Sequence, residues 1–257
     1  MNCGALSGNK TERTCLIADL GLLGVTDTER FMSAAAEFRL RNECPDIVFF
    51  LVHPKTVALG LRDRRCEIPK DLLVTRRRLE EEGIALTRSV RGGGITYHWP
   101  GQVVCYPVLA LGPGERDLPG FMTKLEQVGM QSLARFGLAA MRRRDSASHV
   151  GLWLDGKKIV SMGVRVSNWI TSFGFALNLE GDHSQSRYVR PCGLEGVELT
   201  TVQEALGHAP PRQWLMETIC DCFGTVFGRI PKKMPDDLFA GICSLAHSKD
   251  VMRTGSG

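Results

Sequence analysis

Apolar residues recur along this chain with two periods. TCLIADL at 14–20 and DIVFFLV at 46–52 are short apolar runs bounded by polar or turn residues, which reads as strands, the second buried on both faces. Between them, over 27–41, Phe31, Ala34, Ala35 and Phe38 return at helical spacing. Asp71 is expected to cap a helix that carries Leu72 and Leu79 and stops at Gly83. IALTRSV at 84–90 is the next expected strand, and 117–137 places Leu118, Phe121, Leu125 and Val128 on one helical stripe ended by Gly137. Three antiparallel strands follow at 149–154, 158–166 and 171–179, the first two joined by Asp155-Gly156, the favoured two-residue hairpin turn. Helices are expected at 200–206 and 211–227, and PKKMPDD at 231–237 breaks the pattern and opens a small tail. Strands and helices mix without strict alternation and most strand neighbours are hairpins, so the class is α+β with one mostly antiparallel sheet.

Composition narrows this further. At 257 residues and 43% hydrophobic, the chain can bury a full core as one large domain. Its longest apolar run, IVFFLV, falls far short of the roughly 20 residues that cross a bilayer, so no membrane association is expected. Nine cysteines at irregular spacing, and an opening MNCGALSGNKTERT without an apolar signal region, predict a reduced, cytoplasmic protein. The net charge of +4 is small but uneven, with arginine runs at 76–78 and 142–144 and Arg187 and Arg190 nearby in sequence to each other. Without a basic stripe of interleaved aromatics, an acidic protein partner fits these arginines better than nucleic acid.

Three stretches carry candidate chemistry. RYVRPCGLEG at 187–196 wedges Cys192 between Pro191 and Gly193, a rigid frame that presents a side chain where a structural cysteine would sit inside an apolar run. RGGGITYHWPGQ at 91–102 follows Arg91 with Gly92, Gly93 and Gly94, so the backbone can approach a ligand closely, and Tyr97, His98 and Gln102 cluster with it; a flexible hairpin loop is the plainer alternative. DGKKIVSMGVRV at 155–166 is preceded by a near match to a phosphate loop, Gly151 to Lys157, but Lys158 stands where Ser or Thr is needed and the residues between read as a strand. Strand alternation puts Lys158 with Val160, Met162, Val164 and Val166, and Lys157 on the opposite face with Ile159, Ser161 and Arg165. Lys158 either reaches out from the hairpin end or, if desolvated, serves as a base. A glycine-rich loop, an inward lysine and a presented thiol together suggest acyl transfer through a cysteine thioester.

The three segments RGGGITYHWPGQ, GKKIVSMGVRV with FGFALN following, and RPCGLEG, in this order, resemble the octanoyl-[acyl-carrier-protein]:protein octanoyltransferases of lipoate biosynthesis, and HPKTVALG at 53–60 is similar to an early segment of that family. The resemblance covers roughly 14–206. It implies the fold shared by lipoate and biotin protein ligases, a mixed sheet flanked by helices; the chain is expected to divide into a flexible N-terminus at 1–13, one catalytic domain at 14–230 and an extension at 231–257. It implies a catalytic dyad of Cys192 and Lys158, and an acyl site formed by Arg91, Gly92, Gly93, Gly94, Tyr97, His98, Ser161, Met162, Gly163, Phe173, Gly174, Phe175 and Ala176. It implies octanoyl-acyl carrier protein as donor, and lipoyl domains of 2-oxoacid dehydrogenase subunits or the glycine-cleavage H protein as acceptors, with neither cofactor nor metal. The chain departs from the family pattern at Trp99, commonly Gly, and at Phe173, commonly His. Alternatives are an ATP-dependent lipoate or biotin ligase, which needs no nucleophilic cysteine, a lipoyl-domain amidotransferase, and a non-catalytic carrier-binding or metal-binding module around Cys220 and Cys222, whose spacing on a helix favours core packing instead.

Overall fold

The run IVFFLV forms the middle of a sheet in a computed structural model that describes residues 13–63, 65–67, 69–143, 150–193 and 195–254, side chains at 192 and 249–254 excepted. The expected N-terminal segment, Arg13 apart, and Arg144 of the second arginine run lie outside the described residues. In chain order the elements are β1 (Arg13–Leu22), α1 (Val25–Leu40), β2 (Asp46–Val52), β3 (Thr56–Leu59), α2 (Arg76–Glu81), β4 (Ala85–Arg88), β5 (Ile95–His98) and β6 (Gln102–Val108). They continue with α3 (Leu118–Ala134), β7 (Met141–Arg142), β8 (Leu152–Leu154), β9 (Lys157–Ser167), β10 (Ile170–Asn178), α4 (Val202–Leu206), α5 (Arg212–Phe227), β11 (Arg229–Lys233) and α6 (Asp236–Thr254).

The main sheet has the strand order β11-β1-β2-β6-β10-β9-β8-β7, with β1 parallel to β11 and β2 and every other pair antiparallel. Both faces are covered, which is why β2 is apolar without interruption. Val48 and Phe50 join one core with Leu125 and Val128 of α3 and Ile219 and Phe223 of α5. Ile47, Phe49 and Leu51 join the other with Met32 and Ala35 of α1 and Ile242 of α6. The expected class, α+β with a mixed and mostly antiparallel sheet between helices, is the architecture observed.

Three differences from the sequence reading matter for the site. The described residues form two sheets: the second, ordered β4-β3-β5, is built of four-residue strands and borders a third core in which Val57, Leu59, Ile95 and Tyr97 meet Leu79 of α2, Tyr188 and Val189. Asp71 caps no helix. The backbone of the next residue, Leu72, is engaged in a bridge with Val189, and α2 starts later, where Thr75 accepts a hydrogen bond from Arg78 N at 3.2 Å. Finally, the tail is part of the main sheet. Pro231 pairs with Cys15 in β11, an edge strand where a missing N–H is tolerated, and α6 packs on α1. Buried Arg229 fastens that edge, donating to Asp46 and to Glu115, each at 2.9 Å.

Candidate active site

Lys158 stands near the start of β9, just past a turn in which Asp155 and Gly156 both have positive φ, as the two-residue hairpin demands. Lys157 is half exposed and pairs with Glu198 at 3.0 Å, whereas Lys158 is 2% exposed. The two lysines therefore separate as expected. The alternation beyond them does not hold: a bulge between β8 and β9 pairs Leu152 with Val160 and Trp153 with Lys158, so Lys158, Ile159 and Val160 are all buried. The Lys158 ammonium lies 5.6 Å from the centre of the Trp153 ring. Its stem runs past Gly151, whose φ is +123° and where an added Cβ would stand 2.9 Å from Lys158 Cε and 2.2 Å from Val160 O. Gly151→Ala is thus expected to destabilise the chain by about 1–3 kcal/mol in chemical denaturation, through backbone strain and displacement of the lysine.

The glycine loop is braced from within. Buried Arg91 donates to Ala58 O at 3.1 Å, Gly92 O at 3.0 Å and Gly94 O at 2.8 Å. Gly92 N donates to Val164 O at 3.1 Å, and a Cβ on Gly92 would meet that oxygen at 2.7 Å, so glycine allows the loop to lie directly on β9 beside Gly163. Ser89 Oγ and Val90 N, just before it, bind Glu29 of α1 at 2.7 and 3.1 Å. Tyr97 is buried, its hydroxyl donating to Gln185 Oε1 at 3.3 Å, and burial pushes its ionisation above the usual phenol range. Trp99 stacks on Tyr97 and donates from Nε1 to Glu180 O at 2.9 Å, so this departure from the family pattern fills core.

His98 is buried, with Nδ1 at 2.9 Å from Gln102 Oε1 and its ring 4.8 Å from that of His53. His53 in turn donates from Nδ1 to Leu23 O at 2.7 Å. Burial lowers the His53 imidazole from 6.5 to about 4, and burial followed by the His53 charge lowers that of His98 well below its usual range. As pH falls from about 6.5 to about 4 the unfolded chain binds protons that the native chain refuses, so stability is expected to fall across that window. For His53 alone the loss is on the order of 3 kcal/mol, at about 1.4 kcal/mol per pKa unit. Denaturant titrations at several pH values measure it, and a His53→Gln profile as steep as the parent's would count against this origin.

Cys192 lies on the 3-10 turn Pro191–Gly193, which packs against β5. The turn is held by its approach: Leu73 N donates to Tyr188 O and Arg190 N to Asp71 O, both at 2.8 Å, and Gly193 N closes the turn on Arg190 O at 3.0 Å. The Asp71 carboxylate accepts from Arg62 Nη2 at 3.0 Å, and Arg62 N binds Gly93 O at 3.1 Å. Cysteine turn and glycine loop are thereby joined through Arg62. On the far side of β10, Phe173 is 2% exposed with φ +60°, its N–H directed at Met32 Sδ at 3.2 Å and its ring edge-on to Tyr106. That left-handed backbone turns Phe173 to the α1 face, shared with Ala176 and opposite Phe175, where it lines a cavity of about 560 Å³ between α1 and the end of the β9–β10 hairpin. Gly174 lies against Cys105 O of β6, while Ser161 and Met162 remain half-buried on β9.

The sequence profile described as lipoyl protein ligase A/B catalytic domain matches residues 29–224, which cover the glycine loop, Lys158 and Cys192. The chain belongs to this lipoyl protein ligase A/B family. Among curated relatives, the octanoyltransferase of Caldicellulosiruptor saccharolyticus is 33% identical over 75% of this chain and 80% of its own length. That of Solibacter usitatus is 36% identical over 76% and 84%. Two solved structures share the fold at 16% identity, each with a TM-score of 0.69 over 92% of this chain and 93% of the other: Ta0514, a putative lipoate protein ligase from Thermoplasma acidophilum, and lipoate-protein ligase A bound with ATP.

In this lipoyl ligase A/B domain most of the other described cysteines are buried, Cys44 among them, or partly buried, as Cys243 is. Cys15, Cys105 and Cys222 are core residues, and Cys220 packs beside Cys222 with its thiol pushed up to about 12 by burial, which supports core packing for that pair. Cys66 is exposed. Sequence reasoning missed Asn178 and His53. Each is a polar residue at the end of an apolar run, FGFAL and IVFFLV, and such a placement is the available signal of a buried polar group with a fixed partner.

Proposed function

We infer that this chain is an octanoyltransferase of protein lipoylation that acts on lipoyl-domain proteins. The observation that carries this reading is the 33–36% identity with octanoyltransferases over three quarters of the chain. Cys192 is the nucleophile and Lys158 its partner, supported by the burial of Lys158 and by the frame that Pro191 and Gly193 give the thiol. In the resting pair Cys192 is a thiolate and Lys158 an ammonium. The thiolate attacks the thioester carbonyl of octanoyl-acyl carrier protein; the carrier leaves as a thiol with the Lys158 proton, and octanoyl-Cys192 remains with a neutral Lys158 amine. The acceptor lysine then attacks that thioester. Its nitrogen gives one proton to Lys158 and one to solvent, the amide forms and the Cys192 thiolate is released. Thioester exchange nearly conserves bond energy, so ATP is not consumed. The acyl chain is bound by the surface that the glycine loop, Arg91–Gly94, and the adjoining Ser161–Gly163 of β9 form together.

Acceptors are the lipoyl domains of 2-oxoacid dehydrogenase subunits or the glycine-cleavage H protein, met in the cytoplasm; among the described residues no helix is long and apolar enough to cross a membrane. The experiment is intact mass after mixing with octanoyl-carrier protein without ATP. An octanoyl adduct mapped to Cys192 is expected, and an unmodified chain would sink the transferase mechanism.

The carrier docks on exposed arginines. Arg142 is committed, with Nε 2.8 Å from Glu126 and Nη2 donating to Thr123 O, and Arg77 and Arg78 pair along α2 with Glu81 and Glu82. Arg190 is only loosely paired with Glu195 at 3.6 Å, and Arg187 caps the Tyr188 ring beside the cysteine turn. Transfer from the carrier protein is therefore expected to weaken as salt rises, since exposed charges are screened over a Debye length of about 8 Å at physiological ionic strength. Arg187→Ala and Arg190→Ala should flatten that dependence and Arg142→Ala should not, while a small octanoyl thioester serves as the salt-insensitive control.

A further inference from the structure

The polar groups of the 91–102 stretch form a buried chain that ends on Lys158. Asn178, 1% exposed at the end of β10, directs both hydrogens of Nδ2 at carbonyl oxygens, Lys158 O at 3.2 Å and Thr200 O at 2.9 Å. The opposite amide orientation would set Oδ1 against two acceptors, so the orientation is fixed. Asn178 Oδ1 then accepts from Gln102 Nε2 at 3.0 Å, which leaves Gln102 Oε1 facing His98 Nδ1. An oxygen requires a nitrogen that carries hydrogen. His98 is thus the Nδ1–H tautomer, with its lone pair on Nε2, and its burial keeps it neutral.

The far end of this chain is where the two halves of the site meet. Lys158 N donates to Glu198 O at 2.8 Å and Thr200 N to Lys158 O at 3.0 Å, a short parallel bridge between the start of β9 and the segment that leaves the Cys192 turn. Asn178 holds one carbonyl from each side of that bridge. We propose that His98, Gln102 and Asn178 are positioning residues that fix Lys158 against the segment following Cys192. This rests on the reading of Lys158 as the partner of Cys192. It also gives the spacing His98-x-x-x-Gln102 a purpose: one residue ends β5 of the smaller sheet, the other begins β6 opposite Asn178 in the main sheet, and the turn between them brings the imidazole to the Gln102 amide. A buried amide with both hydrogens committed cannot flip without setting its oxygen against two carbonyl oxygens, and that makes it a stiff anchor.

Two measurements test the proposal. In the parent protein at pH 7, long-range nitrogen–proton correlation spectra should show His98 neutral with its proton on Nδ1; an Nε2–H tautomer or a charged ring overturns the chain of donors. The second is the pH profile of Cys192 alkylation. Asn178→Ala should slow alkylation at pH 7 about tenfold, the change that one unit of thiol pKa produces. Gln102→Met, which keeps bulk and removes only the donor to Asn178, should shift the profile in the same direction by a smaller amount, and it carries the test if Asn178→Ala does not fold. Lys158→Met is the reference. If it shifts the profile and neither relay variant does, the positioning role is wrong; if it fails to shift the profile, the Cys192–Lys158 reading is wrong, and the spectra still decide the tautomer.

Discussion

Cys192→Ser is expected to melt like the parent chain and to lose octanoyl transfer by roughly 10⁴-fold or more, the scale seen when a covalent nucleophile is removed. The reason is ionisation. A thiolate biased by Lys158, as proposed, reacts near neutral pH, while a serine hydroxyl in the same place ionises far less and is the weaker nucleophile without a dedicated base. Four of the other described thiols are poor substitutes for it. Burial pushes Cys15 and Cys105 far up and holds Cys44 at about 11 and Cys220 at about 12, so these stay protonated and inert at neutral pH. Exposed Cys66 is the control, and Cys66→Ser should transfer at the parent rate. Transfer by Cys192→Ser within about tenfold of the parent would make Cys192 a structural residue and remove the thioester from the mechanism.

Where the sequence was read correctly, one local signal decided the outcome. Asp155-Gly156 could serve only a tight hairpin, and that hairpin placed Lys158 two residues into β9. The uninterrupted apolar character of β2 required cover on both faces, and helices α1, α6, α3 and α5 supply it. Where it was misread, a distant partner outweighed the local pattern. Pro231 and the lysines after it look like a breaker, yet β1 needs an edge partner and Arg229 needs Asp46 and Glu115, neither of which is near it in sequence. Asp71 looks like a cap, but its backbone carbonyl is taken by Arg190 and its side chain by Arg62. Beyond what the sequence could show, the Arg91 guanidinium also donates to three backbone carbonyls and so holds the shape of the loop expected to bind the acyl group. The bulge at Ile159 left no trace in the pattern because Ile159 and Val160 are equally apolar.

Lys158→Met should raise the pH at which Cys192 is alkylated, returning the thiol toward its free value of ~8.5, and should lower transfer by roughly 10²- to 10⁴-fold as proton transfer is lost. Methionine is the informative replacement. It keeps the unbranched stem that runs past Gly151 to the Trp153 ring, so the site loses an ammonium without gaining a cavity. Its backbone keeps the bonds to Glu198, Thr200 and Asn178, so the bridge to the segment after Cys192 is preserved and any change in the thiol reports the charge alone. Lys157→Ala is the control that the hairpin register supplies: half exposed and paired with Glu198, it should leave the profile unmoved. Equal shifts for both lysines would mean a diffuse electrostatic effect. No shift for Lys158→Met would mean that Cys192 is activated by another group, and the pairing of Cys192 with Lys158 would fall.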